Sequence, residues 1–282
     1  VDDVGLSVNR VGSDGTTGTG SSTDALQSDV RTTAGNGNIV IRSNGGTITL
    51  NDGTATADDT GVSANGTGNV LLEAIGAGTD VVANVDVASG SGNVSVLGAR
   101  DVKFTGTADI LTTSTAAGSG SIDVMAGSGS VTQSATSLFQ TTGATGTIRV
   151  LGQVDVTVGD IVSATGTVSV TATTGNILDA DPLLAGPADD ADIDVTANKL
   201  RLFAGTGVGQ NTNHLETTVG TVSARATSGG IYLRETDALI VDDVGLSVNR
   251  VGSDGTTGTG SSTDALQSDV RTTAGNGNIV IR

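Results

Sequence analysis

The sequence has no cysteine, no tryptophan and a single histidine. Without cysteine there are no disulfides, thiolate metal sites or cysteine nucleophiles, although the compartment stays open. Phe104, Phe139, Phe203, Tyr232 and Met125 are the only aromatic or thioether side chains. Sandwiches and thick globular cores lean on such bulk, so a slim interior of Val, Ile, Leu and Ala is expected instead. Basic residues are also scarce, 13 against 30 acidic ones, giving a formal net charge of −17. That balance opposes binding to a nucleic-acid backbone or an anionic lipid surface and suits a saline exterior. There is no apolar run of membrane-spanning length and no charged-then-apolar leader.

What is plentiful is glycine, 43 residues of it, together with Thr, Ser, Val and Asp. Residues 1–42 recur letter for letter as residues 241–282, which sets a period of 240 residues. Self-similarity at a fixed spacing is the signature of a tandem array. The chain therefore reads as residues 1–240, one full repeat, followed by residues 241–282, the start of the next, with no separate globular domain. The expectation is a window on a longer polypeptide whose export and anchoring signals lie outside it.

A shorter pattern runs inside the long one: a glycine, a small polar residue, then alternating apolar positions. It appears at Gly37-Asn38-Ile39-Val40-Ile41, Gly68-Asn69-Val70-Leu71-Leu72, Gly92-Asn93-Val94-Ser95-Val96 and Gly120-Ser121-Ile122-Asp123-Val124. It returns around Ile148, Val168, Ile193 and Val222. Period-two alternation makes each a strand with one dry face, leaving Asp123, Arg149, Ser169 and Asp194 on the wet one. Two residues beyond each inward pair stands a small residue such as Ala74, Gly98, Ala126, Gly152, Ala172, Ala197 or Ala226, as a tight bend demands. The polar residues before the first inward anchor, Asn38, Asn69, Asn93, Ser121, Thr147, Thr167, Asp192 and Thr221, are expected to stack as a structural ladder.

A second short strand follows in most turns, at Ile48, Val102, Val131, Val156, Ile177, Leu200 and Ile231, and a third at Val87, Ile110, Phe139, Ile161 and Leu183-Leu184. With Val244–Val248 counted as one further, less regular turn, about nine turns fill each repeat. The predicted fold is all-β, a parallel β-helix of three strands per turn. One turn cannot bury enough to offset its own ordering, so stability must accrue between neighbouring turns.

Material for chemistry is thin. His214 lies in the polar stretch Asn211-Thr212-Asn213 and reads as a solvent-exposed loop residue, with no second histidine or cysteine for a metal or nucleophile pair. The acidic stretch of Asp179, Asp181, Asp189, Asp190 and Asp192 offers oxygen ligands suited to Ca²⁺, but lacks the spacing of calcium-loaded β-rolls and EF-hands. No catalytic residue and no cofactor is expected, calcium being the one candidate ligand.

These Gly-x-Ile-x-Val turns in Thr/Ser/Gly-rich surroundings resemble filamentous haemagglutinin and the giant repetitive surface proteins of Gram-negative and related bacteria. The resemblance covers nearly the whole chain and is one of pattern. It implies a secreted, right-handed parallel β-helix at the bacterial cell surface, serving adhesion, aggregation or filament building. Identical neighbouring repeats stacked end to end are the implied partners, with lateral self-association or surface glycans beside them; nucleic acid and direct membrane insertion are not expected. The alternative is a calcium- or glycan-binding adhesin module.

Overall fold

A computed structural model describes residues 2–53, 58–113, 120–143, 145–181, 192–258 and 261–282. Among them the regular structure is entirely β, most of it in parallel strands. Three columns of strands pair rung upon rung. Column one runs in strict register through Ile39, Val70, Val94, Ile122, Ile148, Val168, Leu200, Val222 and Val241. Column two runs through Ile48, Val81, Val102, Val131, Val156 and Ile177, then by bridges through Val208 to Ile231 and on to Ile279. Column three links Val30, Val62, Val87, Ile110, Phe139, Ile161, Val195 and Thr217.

Alternation decides which side chains turn inward. In Val102–Phe104, Val131–Gln133 and Val156–Val158 the middle residue is half-buried and its two neighbours buried. The inward residues of all three columns merge into one continuous aliphatic cluster whose aromatic members are Phe104 and Phe139. Each buried Val or Ile contributes about 1.5–3 kcal/mol, and the ladder above and below satisfies its backbone. The small positions of column one, Ala74, Gly98, Ala126, Gly152, Ala172, Ala204 and Ala226, stack in register. Glycine is required at two of them, because a Cβ on Gly98 or Gly152 would stand 2.2 or 2.4 Å from the carbonyl oxygen of Asp101 or Asp155.

Several expectations need correction. The rung after Val168 is Leu200–Leu202, not Ile193–Val195; Val195 pairs with Ile161 in column three, and Ala204 rather than Ala197 takes the small position. The apolar-polar alternation of the two segments is the same, so position in the circuit, not local pattern, separates them. Val244–Val248 is not a rung either. It pairs antiparallel with Ser262–Gln267 in a hairpin laid over the outer side of column one. Asp123, Arg149 and Ser169 are consequently buried rather than wet, and Asp194, in a different column, is buried as well. Finally, Ile279, the counterpart of Ile39, falls in column two rather than column one. The 240-residue repeat therefore makes eight and one-third circuits instead of nine. Leu183-Leu184 lies outside the described residues.

Candidate functional site

The polar residues at the column-one corner were expected to form a ladder. Asn69 N donates to Asn38 Oδ1 at 2.9 Å, Asn93 N and Nδ2 donate to Asn69 Oδ1 at 2.9 and 3.0 Å, and Ser121 N donates to Asn93 Oδ1 at 3.0 Å. Thr147 Oγ1 then donates to Ser121 Oγ at 3.2 Å. Thr167 follows by strand pairing with Thr147, and the next rungs place Lys199 and Thr221 there. Asp192 is exposed and off this column, because its segment leads into column three. The Asn38, Asn69 and Asn93 side-chain oxygens each serve the amide of the next rung, at a bend where that N–H turns away from the strand ladder, and the Ser121–Thr147 step continues hydroxyl to hydroxyl.

The sequence reading missed equivalent ladders at the other corners. At column two, Asp80 N donates to Thr47 Oγ1, Asp101 N to Asp80 Oδ1, Ser130 N to Asp101 Oδ1, Asp155 N to Ser130 Oγ and Asn176 N to Asp155 Oδ1, over 2.7–3.2 Å. At column three, Asp109 N donates to Asp86 Oδ1 at 2.8 Å and Leu138 N to Asp109 Oδ1 at 2.7 Å. The signal was there to be found: a small polar residue stands immediately before Ile48, Val81, Val102, Val131, Val156, Ile177, Val87 and Ile110. Part of the acidity is thus structural.

These carboxylates make stability depend on pH. Burial pushes Asp86 up to about 6, with Asp109, Asp59 and Asp58 adding repulsion; burial likewise pushes Asp160 up to about 6, helped by Asp192, Asp181 and Asp109. A carboxyl raised in the fold favours folding below its ordinary value of 3.8 and loses that contribution as pH climbs to 6. Asp80, held down by its hydrogen bonds from Arg100, acts oppositely and loses its contribution only as pH falls below the ordinary carboxylate range. Urea unfolding should therefore show the chain more stable at pH 4.5 than at pH 7, Asp86 and Asp160 alone contributing roughly 1–2 kcal/mol after allowance for solvent screening. A lower midpoint at pH 4.5 would count against these assignments.

A second constellation lies where columns two and three meet. Carboxylate oxygens of Asp179, Asp194 and Glu216 all lie within 4.8 Å of one another. Glu216 N donates to Asp194 Oδ2 at 2.7 Å. Burial, and after it the Asp179 charge, pushes the Asp194 carboxyl well above the ordinary carboxylate range. Of the described calcium candidates only Asp179 enters this cluster. Asp181 donates its amide to Asp179 Oδ1 at 2.7 Å, Asp192 is exposed, and Asp189 and Asp190 lie outside the described residues. His214 is fully buried rather than exposed, its ring edge-on to Tyr232 with centroids 5.8 Å apart. A second acidic group, Asp29, Asp52 and Asp58, already has Arg31 bound to Asp29 and Asp58.

The third constellation is the interface under the hairpin. No known family model, curated protein or solved structure matches the chain. Its function has to be read from geometry such as this. Asp123 accepts Arg149 Nη1 at 3.1 Å and Arg250 Nε at 2.6 Å, while Asp264 accepts Arg149 Nε at 2.9 Å and Ser169 Oγ at 2.7 Å. Burial works against the Arg149 charge, but Asp123 and Asp264 on either side outweigh it and hold its pKa above the ordinary value. Arg201 is shifted the other way, by burial and by Arg149. Beside this charged row, Val251 packs into an apolar patch of Leu71, Leu97 and Met125. Such an arrangement fastens one part of the chain to another.

Proposed function

We propose that the chain is a structural repeat segment of a secreted, rod-like surface filament or fibrous adhesin, built as a right-handed parallel β-helix. One observation carries the reading: the second copy of the repeated sequence continues the columns begun by the first. Val241 stacks on Val222, Val270 on Ala224 and Ile279 on Ile231. Where the next copy adds rungs to the last, repeat number sets length. The polar ladders, the shared aliphatic interior and the high net negative charge all suit a soluble spacer. This role needs no catalytic group and places the rod outside a bacterial cell, with identical neighbouring repeats as its stacking partners.

At about 4.8 Å per rung, eight and one-third circuits advance the chain by roughly 40 Å per repeat. Electron micrographs of chains carrying one, two and three repeats should show thin uniform rods that lengthen by that increment. Separate globular beads would end the reading.

A calcium-binding adhesin module is the rival, favoured by the Asp179, Asp194 and Glu216 cluster. In the ion-free chain burial and the Asp179 charge raise the Asp194 carboxyl, so calcium would have to displace a proton to bind there. Calorimetry of the chain with calcium at pH 7 should register no stoichiometric uptake; one tightly bound ion per repeat would favour the rival.

A further inference from the structure

The duplicated sequence folds twice into the same hairpin, in two different settings. Val4–Val11 pairs with Thr17–Gln27 as Val244–Val248 pairs with Ser262–Gln267, with Leu6 opposite Asp24 and Leu246 opposite Asp264. The second copy lies on the outer side of column one, and its Val244, Leu246, Val248 and Val251 are 1%, 5%, 0% and 2% exposed. In the first copy the identical residues Val4, Leu6, Val8 and Val11 are 74%, 57%, 45% and 68% exposed. One sequence in one local shape has its apolar face covered in one place and bare in the other.

We infer that the hairpin Val4–Gln27 is a clasp whose partner is the outer column-one face of another copy of this repeat, the one preceding it in an array. The occupant follows from the seated copy. Val251 N donates to Ser95 Oγ at 2.9 Å, Arg250 Nε to Asp123 Oδ2 at 2.6 Å, and Gln267 Nε2 to the Leu202 carbonyl at 2.9 Å. Arg201 Nε donates to the Ala265 carbonyl at 3.1 Å. The first hairpin carries the same groups at Val11, Arg10, Gln27 and Ala25. Any surface that fits one fits the other, and only this repeat is shown to present it. Within the chain that face is already occupied by Val244–Gln267, so the first hairpin needs a second copy.

The columns add a direction. Val30, just after the first hairpin, lies in column three, whereas its counterpart Val270 lies in column one. Each repeat therefore starts one column further round than the last. Clasps in an array would step around the rod by one face per repeat and return to the same face every third repeat. The repeats would then be joined by a strap along the side as well as by stacking at the ends.

This inference rests on the array reading, and the two can fail separately, one in rod length and the other in association. In the 282-residue chain, the tethered clasp has an effective concentration on the order of millimolar and excludes the free one. Sedimentation should find the unaltered chain monomeric at micromolar concentration. Leu246→Asp with Val251→Asp expels the tethered clasp and opens the face, so this variant should form head-to-tail oligomers at concentrations about tenfold or more below those needed by the unaltered chain. Adding Leu6→Asp and Val11→Asp should return it to monomers. Arg250→Ala, which leaves the apolar contacts in place, should show the same association more weakly, and it guards against misfolding in the double variant. Because the chain lacks cysteine, Asn9→Cys and Ser121→Cys report the contact directly: in the seated copy Asn249 N lies 3.3 Å from Ser121 Oγ. A disulfide between chains in the Arg250→Ala background supports the clasp. No such disulfide, or oligomers that survive Leu6→Asp and Val11→Asp, would overturn it.

Discussion

Asp123→Ala should destabilise the chain by about 3–5 kcal/mol, although sequence alternation alone places Asp123 in water. Its side chain is fully buried between Arg149 and Arg250, and Arg149 itself is 8% exposed. Removing the carboxylate strands a desolvated guanidinium with Asp264 as its remaining carboxylate partner, and uncouples the hairpin from column one. The cost is that of an uncompensated buried charge, so removing the partner too should recover part of it. Asp123→Ala combined with Arg149→Ala is expected to be less destabilised than the sum of the two single changes by 1 kcal/mol or more, on the order of measured couplings between contacting groups. Glu73→Ala provides the contrast: it breaks a partly exposed pair with Arg42 and should cost about 0.2–1 kcal/mol. Urea denaturation of the unaltered chain and the four variants decides the matter, and equal losses for Asp123→Ala and Glu73→Ala would sink the argument.

That contrast shows where sequence reasoning carried and where it stopped. Column one from Ile39 to Val168 was legible because inward residues alternate with outward ones and a small residue follows at each bend. All of that information is local. Ile193-Asp194-Val195 and Leu200-Arg201-Leu202 share the pattern, and their assignment depends on the insertion before them, which alternation cannot measure. Val244–Val248 alternates just as a rung does; only its pairing with Ser262–Gln267, set by the intervening turn, takes it out of the stack. Once that hairpin lies on column one, the wet face becomes an interior. The burial of Asp123, Arg149 and Ser169 is a tertiary fact with no counterpart in their own neighbourhoods. His214 is similar: a polar stretch surrounds it in sequence, but Tyr232, eighteen residues on, packs against its ring. The ladders at columns two and three were legible in principle, since the polar residue before each anchor is as regular there as in column one.

The slim interior predicts where a single truncation does most harm. Phe104 and Phe139 meet inside the stack, from columns two and three, with ring centroids 4.8 Å apart and planes at 77°. Both are essentially inaccessible to solvent. Phe139 is followed in column by Ile161 and preceded by Ile110, side chains on backbone fixed by parallel pairing above and below, so neighbours have little freedom to collapse into a vacated ring. Phe139→Ala should cost about 3–5 kcal/mol, whereas Phe139→Leu, which keeps most of the volume, should cost about 1.5 kcal/mol or less. Phe203→Ala, at a half-buried position on the outer side near Arg201, should cost far less than either truncation within the stack. Each rung depends chiefly on its neighbours, so the damage should also be local. Hydrogen exchange on Phe139→Ala should speed up the amides of Ile110–Thr112 and of the Asp160–Ala172 strand while leaving those near Val222 protected. Uniform loss of protection along the chain would mean that the columns fold as one indivisible unit, not as a stack that holds together rung by rung.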